Sequence, residues 1–295
     1  MNNKVHLPLY GQLRDRVSFS EIGLFSDCQW KWALTKVFSQ EKIEESFQMS
    51  FGKSIHLGLE SLYNGSMSLE ESIEIAESGY KQSLDKLFDS LSDEDKIESE
   101  RLKTLIPKFL NDCLNCEELK DIISLKTEYP LKINIARNDG LDILFKGFID
   151  IVFIKKLKTK SVIYIADFKT CSWGWPYKKF KDIKVISQLL LYKHFFCKEL
   201  KADPKNISLA FILLKKKPKD GDSTITFQKI NASDTQIYEA IQYLQNAITD
   251  MHSYSYEKNL DSCQKKFVTK EGIEKIYTCN FFETDLCTKS SEHNA

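Results

Sequence analysis

Three consecutive segments with the composition of β-strands lie between residues 124 and 170. They read SLKTEYPLKINIA, DILFKGFIDIVFI and SVIYIADFKT, and each is rich in β-branched and aromatic residues. The polar sequence LKTK at 157–160 separates the second segment from the third, as a turn between paired strands would. The three segments therefore predict a β-meander.

The third segment carries an acid and a lysine close to its end. Asp167 and Lys169 occupy strand positions i and i+2, so their side chains point to the same face. If the second and third strands pair, Asp150 of the second segment approaches Asp167. Two carboxylates at one site repel each other unless a cation lies between them. A site rich in oxygen ligands suits Mg²⁺ or Mn²⁺.

The lysine suggests what such a site would do. Beside a bound cation, Lys169 can hold or deprotonate a water molecule, or stabilise charge that builds on a phosphate. The metal would polarise the phosphoryl oxygen and lower the pKa of water. The alternative is structural, with Asp150 and Asp167 as strand-end residues and Lys169 as their salt-bridge partner.

Patterns on either side of the meander predict an α/β domain over residues 1–295. Residues 66–122 are charged and helical in period, which predicts a helical insert within this domain. The tail, residues 255–295, is expected to be irregular. The other predicted elements are helices over 21–38 and 46–63 before the meander, and a helix over 183–199, strands over 206–217 and 223–230, and a helix over 234–253 after it.

Several motifs resemble those of the PD-(D/E)XK nuclease superfamily. GFID at 147–150, DFKT at 167–170 and QLLLY at 188–192 follow one another in the family's order. The closer resemblance is to the RecB-like branch, which includes RecB and AddB nuclease domains, CRISPR adaptation nucleases and many phage exonucleases. SFSEIGLFSDCQWKWAL resembles the branch's N-terminal helix, FGKSIHLGLESL its G-x-x-x-H-x-x-L helix, and the cysteine-bearing tail its metal-cluster region. The resemblance spans roughly residues 18–63, 124–200 and 260–288.

This resemblance implies a restriction-endonuclease-like core, in which helices flank a mixed central sheet. It also implies that Lys169 is the catalytic lysine. The metal ligands it implies are His56, Asp150, Asp167 and the backbone carbonyl of Phe168. A histidine packed on a helix face is the alternative for His56.

The resemblance assigns further roles around the metal. Gln188 and Tyr192, one turn apart on a predicted helix, would line the site and orient DNA or the lysine. The alternative is that they form a polar helix edge. Glu128, on the first strand, is expected to support the ligands without binding the metal itself.

Eight cysteines are present, and four of them match a pattern of the RecB-like branch. Cys28 lies on the first predicted helix, whereas Cys263, Cys279 and Cys287 lie in the tail. The resemblance implies that these four hold a [4Fe–4S] cluster, which would fix the tail to the N-terminal helix. The C-x₂-C of many relatives is absent from the tail, so zinc and free thiols stay open as alternatives.

The remaining cysteines are expected to be packing residues. Cys113 and Cys116 form a C-x₂-C on an amphipathic helix, where small core residues are the usual occupants and metal or redox use is the alternative. Cys171 and Cys197 lie on apolar segments. In a reducing compartment none of the eight is expected to form a disulfide.

An aromatic and basic stretch directly follows the DFKT strand. Aromatic rings can stack on unpaired bases while lysines hold phosphates, so this stretch predicts contact with DNA. A packed hydrophobic loop with a solvated lysine face is the alternative. A second basic run, KKKPK at 215–219, extends the track. The predicted DNA-binding residues are Trp173, Trp175, Tyr177, Lys178, Lys179 and Lys181.

The overall charge gives no hint of a polyanionic partner, because 42 basic residues balance 42 acidic ones. The sequence has no apolar stretch long enough for a membrane span, and its first residues lack the apolar core of a signal peptide. We expect a cytoplasmic protein, bacterial or phage-encoded. No G-x-x-x-x-G-K-[ST] motif is present, so unwinding of DNA would require a helicase or recombination partner.

The sequence as a whole predicts a Mg²⁺- or Mn²⁺-dependent deoxyribonuclease. No separate base-reading domain is visible, which favours an exonuclease on single-stranded DNA or DNA ends, in DNA repair, recombination or phage DNA metabolism. One alternative is a non-catalytic nucleic-acid-binding or scaffolding protein on the same fold. Another is a phosphate-handling enzyme of a different fold. Polarity, strand preference and oligomeric state stay open.

Overall fold

The computed structural model describes most of the chain, with short gaps at the termini and in several connections. The described residues are 4–6, 15–40, 45–65, 67–137, 140, 142–158, 160–219, 221–253, 255–268 and 274–288. The helices are α1 (Phe19–Asp27), α2 (Gln29–Trp32), α3 (Phe47–Tyr63), α4 (Leu69–Leu87), α5 (Asp93–Lys103), α6 (Ile106–Asn115), α7 (Ile183–Leu200), α8 (Asp234–Met251) and α9 (Asp285–Thr288). The strands are β1 (Lys4–His6), β2 (Arg16–Ser18), β3 (Ile122–Ala136), β4 (Asp142–Lys156), β5 (Ser161–Cys171), β6 (Ile207–Lys215), β7 (Ile225–Ile230), β8 (Ser255–Glu257), β9 (Gln264–Val268) and β10 (Glu274–Thr278).

The central sheet is mixed, in the order β2-β4-β5-β6-β7, with β3 paired to β4. β4 and β5 are antiparallel, with Ile151 opposite Ala166. The β3, β4 and β5 pairing confirms the predicted meander. β5 and β6 are parallel, and α7 makes the crossover that a parallel pair requires. This sheet with its helices confirms the predicted α/β class.

The strand that bears Asp167 and Lys169 ends one residue beyond the predicted segment SVIYIADFKT. β5 continues to Cys171, which lies opposite Lys215 of β6. Asp167 and Lys169 thus lie close to the end of β5, as the sequence predicts.

The chain divides into two compact units. We call Glu44–Leu131 with Gly147–Ala240 the sheet unit, and Met1–Ile43 with Lys132–Lys146 and Ile241–Ala295 the cysteine unit. The single-domain organisation over residues 1–295 stays a prediction. No helix among the described residues has both the length and the hydropathy to cross a membrane.

Within the sheet unit, the predicted helical insert consists of α4, α5 and α6. Its side chains enter the same hydrophobic cluster as the sheet, and Tyr80, Leu102 and Phe109 are fully buried there. α3 and α4 approach closely at Gly58, where an added Cβ would lie 2.9 Å from the Cβ of Ala76. The insert is therefore part of the core of this unit.

Within the cysteine unit, the predicted helix over 21–38 is interrupted at Cys28. Its backbone is extended (φ −160°, ψ 111°), so α1 ends before it and α2 begins after it. The placement of Cys28 on a continuous helix was wrong. Cys28 caps α2 instead, because its sulfur accepts a hydrogen bond from the Lys31 N–H at 3.4 Å.

The tail is less irregular than the sequence predicts. β9 and β10 form an antiparallel hairpin, β8 pairs with β1, and α9 follows. The expectation of an irregular segment over 255–295 was wrong for these residues. Tyr256 packs edge-on against Trp32, 5.5 Å between ring centroids, so residues from the two ends of the chain share one core.

Candidate metal centre

Adjacent strands bring the predicted acids together. The Phe168 N–H of β5 donates a hydrogen bond of 2.8 Å to Oδ2 of Asp150 on β4. On β5 itself, Lys169 Nζ lies 2.7 Å from Oδ2 of Asp167. The period of a strand thus places the acid and the lysine side by side, as the sequence indicates.

Asp167 is the most deeply buried charged group of the site, with 1% of its surface exposed. Its Oδ1 has no hydrogen-bond partner in the part of the chain that the structure describes, and the Lys169 ammonium is the partner of its Oδ2. A buried carboxylate with unused acceptor capacity is costly unless a cation uses it.

His56 projects from α3 to the same place. Its Nε2 lies 3.1 Å from the carbonyl oxygen of Phe168, and its Nδ1 lies 3.6 Å from Oδ2 of Asp150. Burial lowers its pKa, against the attraction of Asp167. The imidazole is therefore held in the neutral form that binds metals.

Glu128 lies closer to the centre than the sequence predicts. One ligand atom from each of His56, Glu128 and Asp150 forms a group in which all distances are within 4.8 Å. Glu128 has φ +46° in the interior of β3, a left-handed conformation that costs a non-glycine residue about 1–2 kcal/mol. No glycine or turn residue signals this conformation, so sequence reasoning placed Glu128 only in a supporting role.

Carboxyl groups outnumber cationic side chains at this centre. Burial and Asp167 raise the pKa of Asp150 well above its usual range, against Lys169. Burial, Glu60 and Asp167 likewise raise the pKa of Glu128. Both carboxyl groups therefore ionise less readily than in water unless a cation is bound. Oxygen and imidazole donors of this kind fit a hard divalent cation.

Lys169 begins a short hydrogen-bond chain that leads to α7. Its Nζ donates to Oε1 of Gln188 at 3.1 Å, and Nε2 of Gln188 donates to the Tyr192 hydroxyl at 3.2 Å. Although burial opposes its charge, Asp167 and Asp150 raise the pKa of Lys169. Gln188 and Tyr192 thus lie beside Lys169, and their role in orienting DNA or the lysine stays a prediction.

Gly147 of the GFID motif leaves the space for Tyr192. A Cβ at Gly147 would lie 2.8 Å from Cε1 of the Tyr192 ring, closer than carbon atoms tolerate. The motif therefore supplies both an acid, Asp150, and a position without a side chain. Sequence reasoning named the motif but missed this second contribution.

The four predicted cluster ligands all belong to the cysteine unit and are buried free thiols. Burial and the three other sulfurs, Cys279, Cys287 and Cys28, raise the pKa of Cys263 to about 11. Each of these sulfurs is thus within electrostatic reach of Cys263. The Cys28 sulfur also lies 3.5 Å from the Asn259 N–H of the tail.

The aromatic and basic stretch divides into packed and exposed residues. Trp175 packs edge-on against Phe211, 5.0 Å between ring centroids, and carries Lys179 over its ring at 4.1 Å. Trp173 and Tyr177 are 54% and 73% exposed. The packed-loop alternative thus describes Trp175, whereas Trp173 and Tyr177 present their rings to solvent. Lys178 and Lys181 are exposed as well.

Comparison with known proteins adds an independent observation. A family model described as the PD-(D/E)XK nuclease superfamily matches residues 16–265. Among curated protein sequences, none matches the chain significantly.

Two solved structures are similar at low sequence identity. A crystal structure described as a "Putative exonuclease" from Eubacterium rectale aligns with a TM-score of 0.52 at 13% identity, over 95% of this chain and 89% of that chain. At this identity the likeness concerns the fold alone. The crystal structure of SSO0001 aligns at 14% identity over 79% of this chain and 87% of that chain, with a TM-score of 0.30, too low to carry an argument.

Proposed function

Because the chain belongs to the PD-(D/E)XK nuclease superfamily, we propose that it is a Mg²⁺- or Mn²⁺-dependent deoxyribonuclease of the RecB-like branch. We place it among the exonucleases that act on single-stranded DNA or DNA ends. One observation carries the proposal: the buried carboxylate of Asp167 lies against Lys169, with Asp150 on the neighbouring strand.

The cation would be held by side chains from three strands and one helix. The ligands we propose are His56, Glu128, Asp150, Asp167 and the Phe168 carbonyl. A divalent cation there would supply Lewis acidity to the scissile phosphodiester and lower the pKa of the attacking water. The unused acceptor Oδ1 of Asp167 and the raised pKa of Asp150 support this ligand set.

Lys169 acts as a cation in this proposal. Its raised pKa keeps the ammonium charged at neutral pH, so it donates hydrogen bonds and does not accept protons. It would orient the water and stabilise the charge that develops on the phosphate. Gln188 holds the ammonium in place, and Tyr192 holds Gln188.

DNA would approach over the stretch that follows β5. Trp173 and Tyr177 have exposed rings for stacking on unpaired bases, with Lys178 and Lys181 beside them. Lys181 lies over the Tyr177 ring at 4.7 Å. Trp175 would contribute by holding Lys179. This arrangement favours single strands or frayed ends.

We further propose that Cys28, Cys263, Cys279 and Cys287 hold a [4Fe–4S] cluster. Their burial together in one unit supports this, as do the two backbone N–H groups directed at the Cys28 sulfur. Four thiolates also suit zinc, and metal and sulfide analysis distinguishes the two occupants.

The biological setting that we propose rests on the resemblance of the motifs to the RecB-like branch. A nuclease of this type would work inside a bacterial or phage-infected cell, in DNA repair, recombination or phage DNA metabolism. Because no ATP-binding G-x-x-x-x-G-K-[ST] motif is present in the sequence, a separate helicase would supply single strands from duplex DNA.

The test compares linear and circular single-stranded DNA of one sequence, incubated with the protein and Mn²⁺ or with EDTA. We expect the linear DNA alone to be degraded, and only with Mn²⁺. Equal cleavage of the circular DNA would mean that the protein is an endonuclease and not an exonuclease. Binding of both DNAs without cleavage would support the non-catalytic alternative.

A further inference from the structure

Basic residues meet where β5 and β6 end. The strands are parallel, so their C-terminal ends share one edge of the sheet, with Cys171 opposite Lys215. Pairing continues past the strands, because the Lys216 N–H donates to the Cys171 carbonyl at 2.8 Å. The next N–H, of Lys217, donates to the Ser172 carbonyl at 2.7 Å. The KKK run is thus held on an ordered backbone.

Lys179 reaches the same edge from the turn after β5. Its ammonium lies 4.1 Å from the centre of the Trp175 ring, which packs against Phe211 of β6. Burial raises the pKa of the Cys171 thiol, and Lys179, Lys216 and Lys215 oppose this rise. Each of these three charges thus lies within electrostatic reach of the Cys171 sulfur.

The helical insert fixes this edge from the other side. Arg101 of α5 donates to the Lys216 carbonyl at 3.0 Å and forms an ion pair with Glu98 at 2.7 Å. Glu98 is thus already engaged. Within the described ranges, no carboxylate lies within ion-pair distance of Lys179, Lys215 or Lys216. Glu98 is a charged neighbour of both Arg101 and Lys216, so it offsets part of the positive charge at this edge and leaves the charges of Lys179 and Lys215 uncompensated by any ion pair in that part of the chain.

We propose that Lys179, Lys215 and Lys216 form a phosphate subsite that holds the DNA strand next to the scissile phosphate, braced by the helical insert through Arg101. The inference rests on the proposed function. Leu213 of β6 lies opposite Lys169, and Lys215 follows two residues later. The Cα atoms of Lys169 and Lys215 are therefore separated by roughly 8 Å, from the rise and spacing of strands. A strand cut at Lys169 would therefore present a neighbouring phosphate to the subsite. An internal phosphodiester and a terminal phosphate offer the same chemistry.

Binding in EDTA tests the subsite without any need for cleavage. The probes are labelled single-stranded oligonucleotides with a 5′-phosphate, a 3′-phosphate or only hydroxyl ends, titrated by fluorescence anisotropy at several salt concentrations. The variant is Lys179→Met with Lys215→Met, which keeps both apolar stems. Lys216→Met is a second variant. Lys158→Met is the matched control, since Lys158 is exposed in the turn at the opposite end of β5.

We expect the double variant to bind about tenfold more weakly at low salt. The slope of log K against log salt should fall in magnitude by about 1.4, because each of the two lost phosphate contacts contributes about 0.7. Lys158→Met should leave both quantities unchanged. A loss confined to one phosphorylated probe identifies a terminal phosphate, and an equal loss on all probes identifies phosphodiesters.

Wild-type binding by the double variant and by Lys216→Met would overturn the subsite, and so would an equal loss in Lys158→Met. A wild-type protein that cleaves DNA with Mn²⁺ while these variants bind normally would refute the subsite alone. A wild-type protein that never cleaves, while the double variant shows the expected loss, would refute the nuclease and leave the subsite standing.

Discussion

Lys169 Nζ lies 2.7 Å from Oδ2 of Asp167, and the two residues are separated by one position on a strand that pairs on both sides. The intervening residue, Phe168, joins the same centre through its backbone, because its N–H binds Asp150 and its carbonyl lies beside His56. Three successive residues of one strand thus contribute an acid, two backbone groups and a cation to one site.

The acidic pair predicts how the protein responds to metal. Burial and Asp167 raise the pKa of Asp150. Without a bound cation, the charge of Asp150 therefore opposes folding at any pH above the pKa that this carboxyl group has in the unfolded chain. Asp150→Asn removes this charge and keeps an oxygen to accept the Phe168 N–H. We expect the Tm without metal to stay equal or rise. Mn²⁺ at 100 times its Kd should stabilise the wild type by about 2.7 kcal/mol, and this shift should be lost in the variant.

Differential scanning fluorimetry with and without Mn²⁺ measures both effects. Asp142→Asn, at an exposed position of the same strand, is the control and should keep the wild-type Mn²⁺ shift. A wild-type shift in Asp150→Asn would exclude Asp150 from the ligands.

A side chain at Gly147 of the GFID motif is predicted to clash with the Tyr192 ring. Gly147→Ala would place a methyl group 2.8 Å from the Tyr192 ring, and such overpacking costs about 1–3 kcal/mol. We expect lower stability in urea unfolding and slower DNA cleavage, since Tyr192 can no longer hold Gln188. The same change in a Tyr192→Ala background should cost little stability, and an equal cost there would contradict the proposed clash.

Alanine substitutions at two glycines of α3 should have opposite effects on stability. Gly58→Ala would collide with Ala76 and Leu110 of the insert, so we expect a loss of about 1–3 kcal/mol in the free energy of unfolding. Gly52→Ala meets only Thr170 Oγ1 at an ordinary 3.8 Å, so the helix should gain up to about 1 kcal/mol. Equal effects of the two variants in urea unfolding would mean that the insert does not pack as described.

The proposed [4Fe–4S] cluster predicts that anaerobically purified protein contains iron and sulfide. Cys28→Ser should lose the iron and sulfide while keeping α2 capped, because serine is a good N-cap. Cys197→Ser, on α7, should keep the wild-type content. One equivalent of zinc without sulfide would identify the zinc site, and metal-free wild-type protein would contradict both forms of the proposal.

Local periodicity was enough to predict much of the site. The i, i+2 spacing placed Asp167 beside Lys169, and the short turn at 157–160 predicted the strand pair that brings Asp150 near them. The one-turn spacing of Gln188 and Tyr192 likewise predicted a shared face on α7. These relationships depend on residues close in the chain or on a single hairpin.

Features that depend on backbone conformation or on distant packing were missed. The positive φ of Glu128 is imposed on a residue that shows no preference for it, and the break at Cys28 interrupts a sequence with continuous helical spacing. The tail hairpin did leave a signal, since QKKFV and EKIYT flank a segment with Gly272 in the sequence, but the strands are short. The collision at Gly147 appears only when α7 packs near β4.

The most direct test of the account measures cleavage of end-labelled single-stranded DNA with Mn²⁺ by the wild type, Lys169→Ala and Lys158→Ala. The two variants lose the same charge, one beside Asp167 and one at the far end of β5. We predict that the wild type and Lys158→Ala cut the DNA, and that Lys169→Ala is slower by about 10²–10³-fold. Cleavage by Lys169→Ala at the wild-type rate, or no Mn²⁺-dependent cleavage by the wild type, would contradict the account.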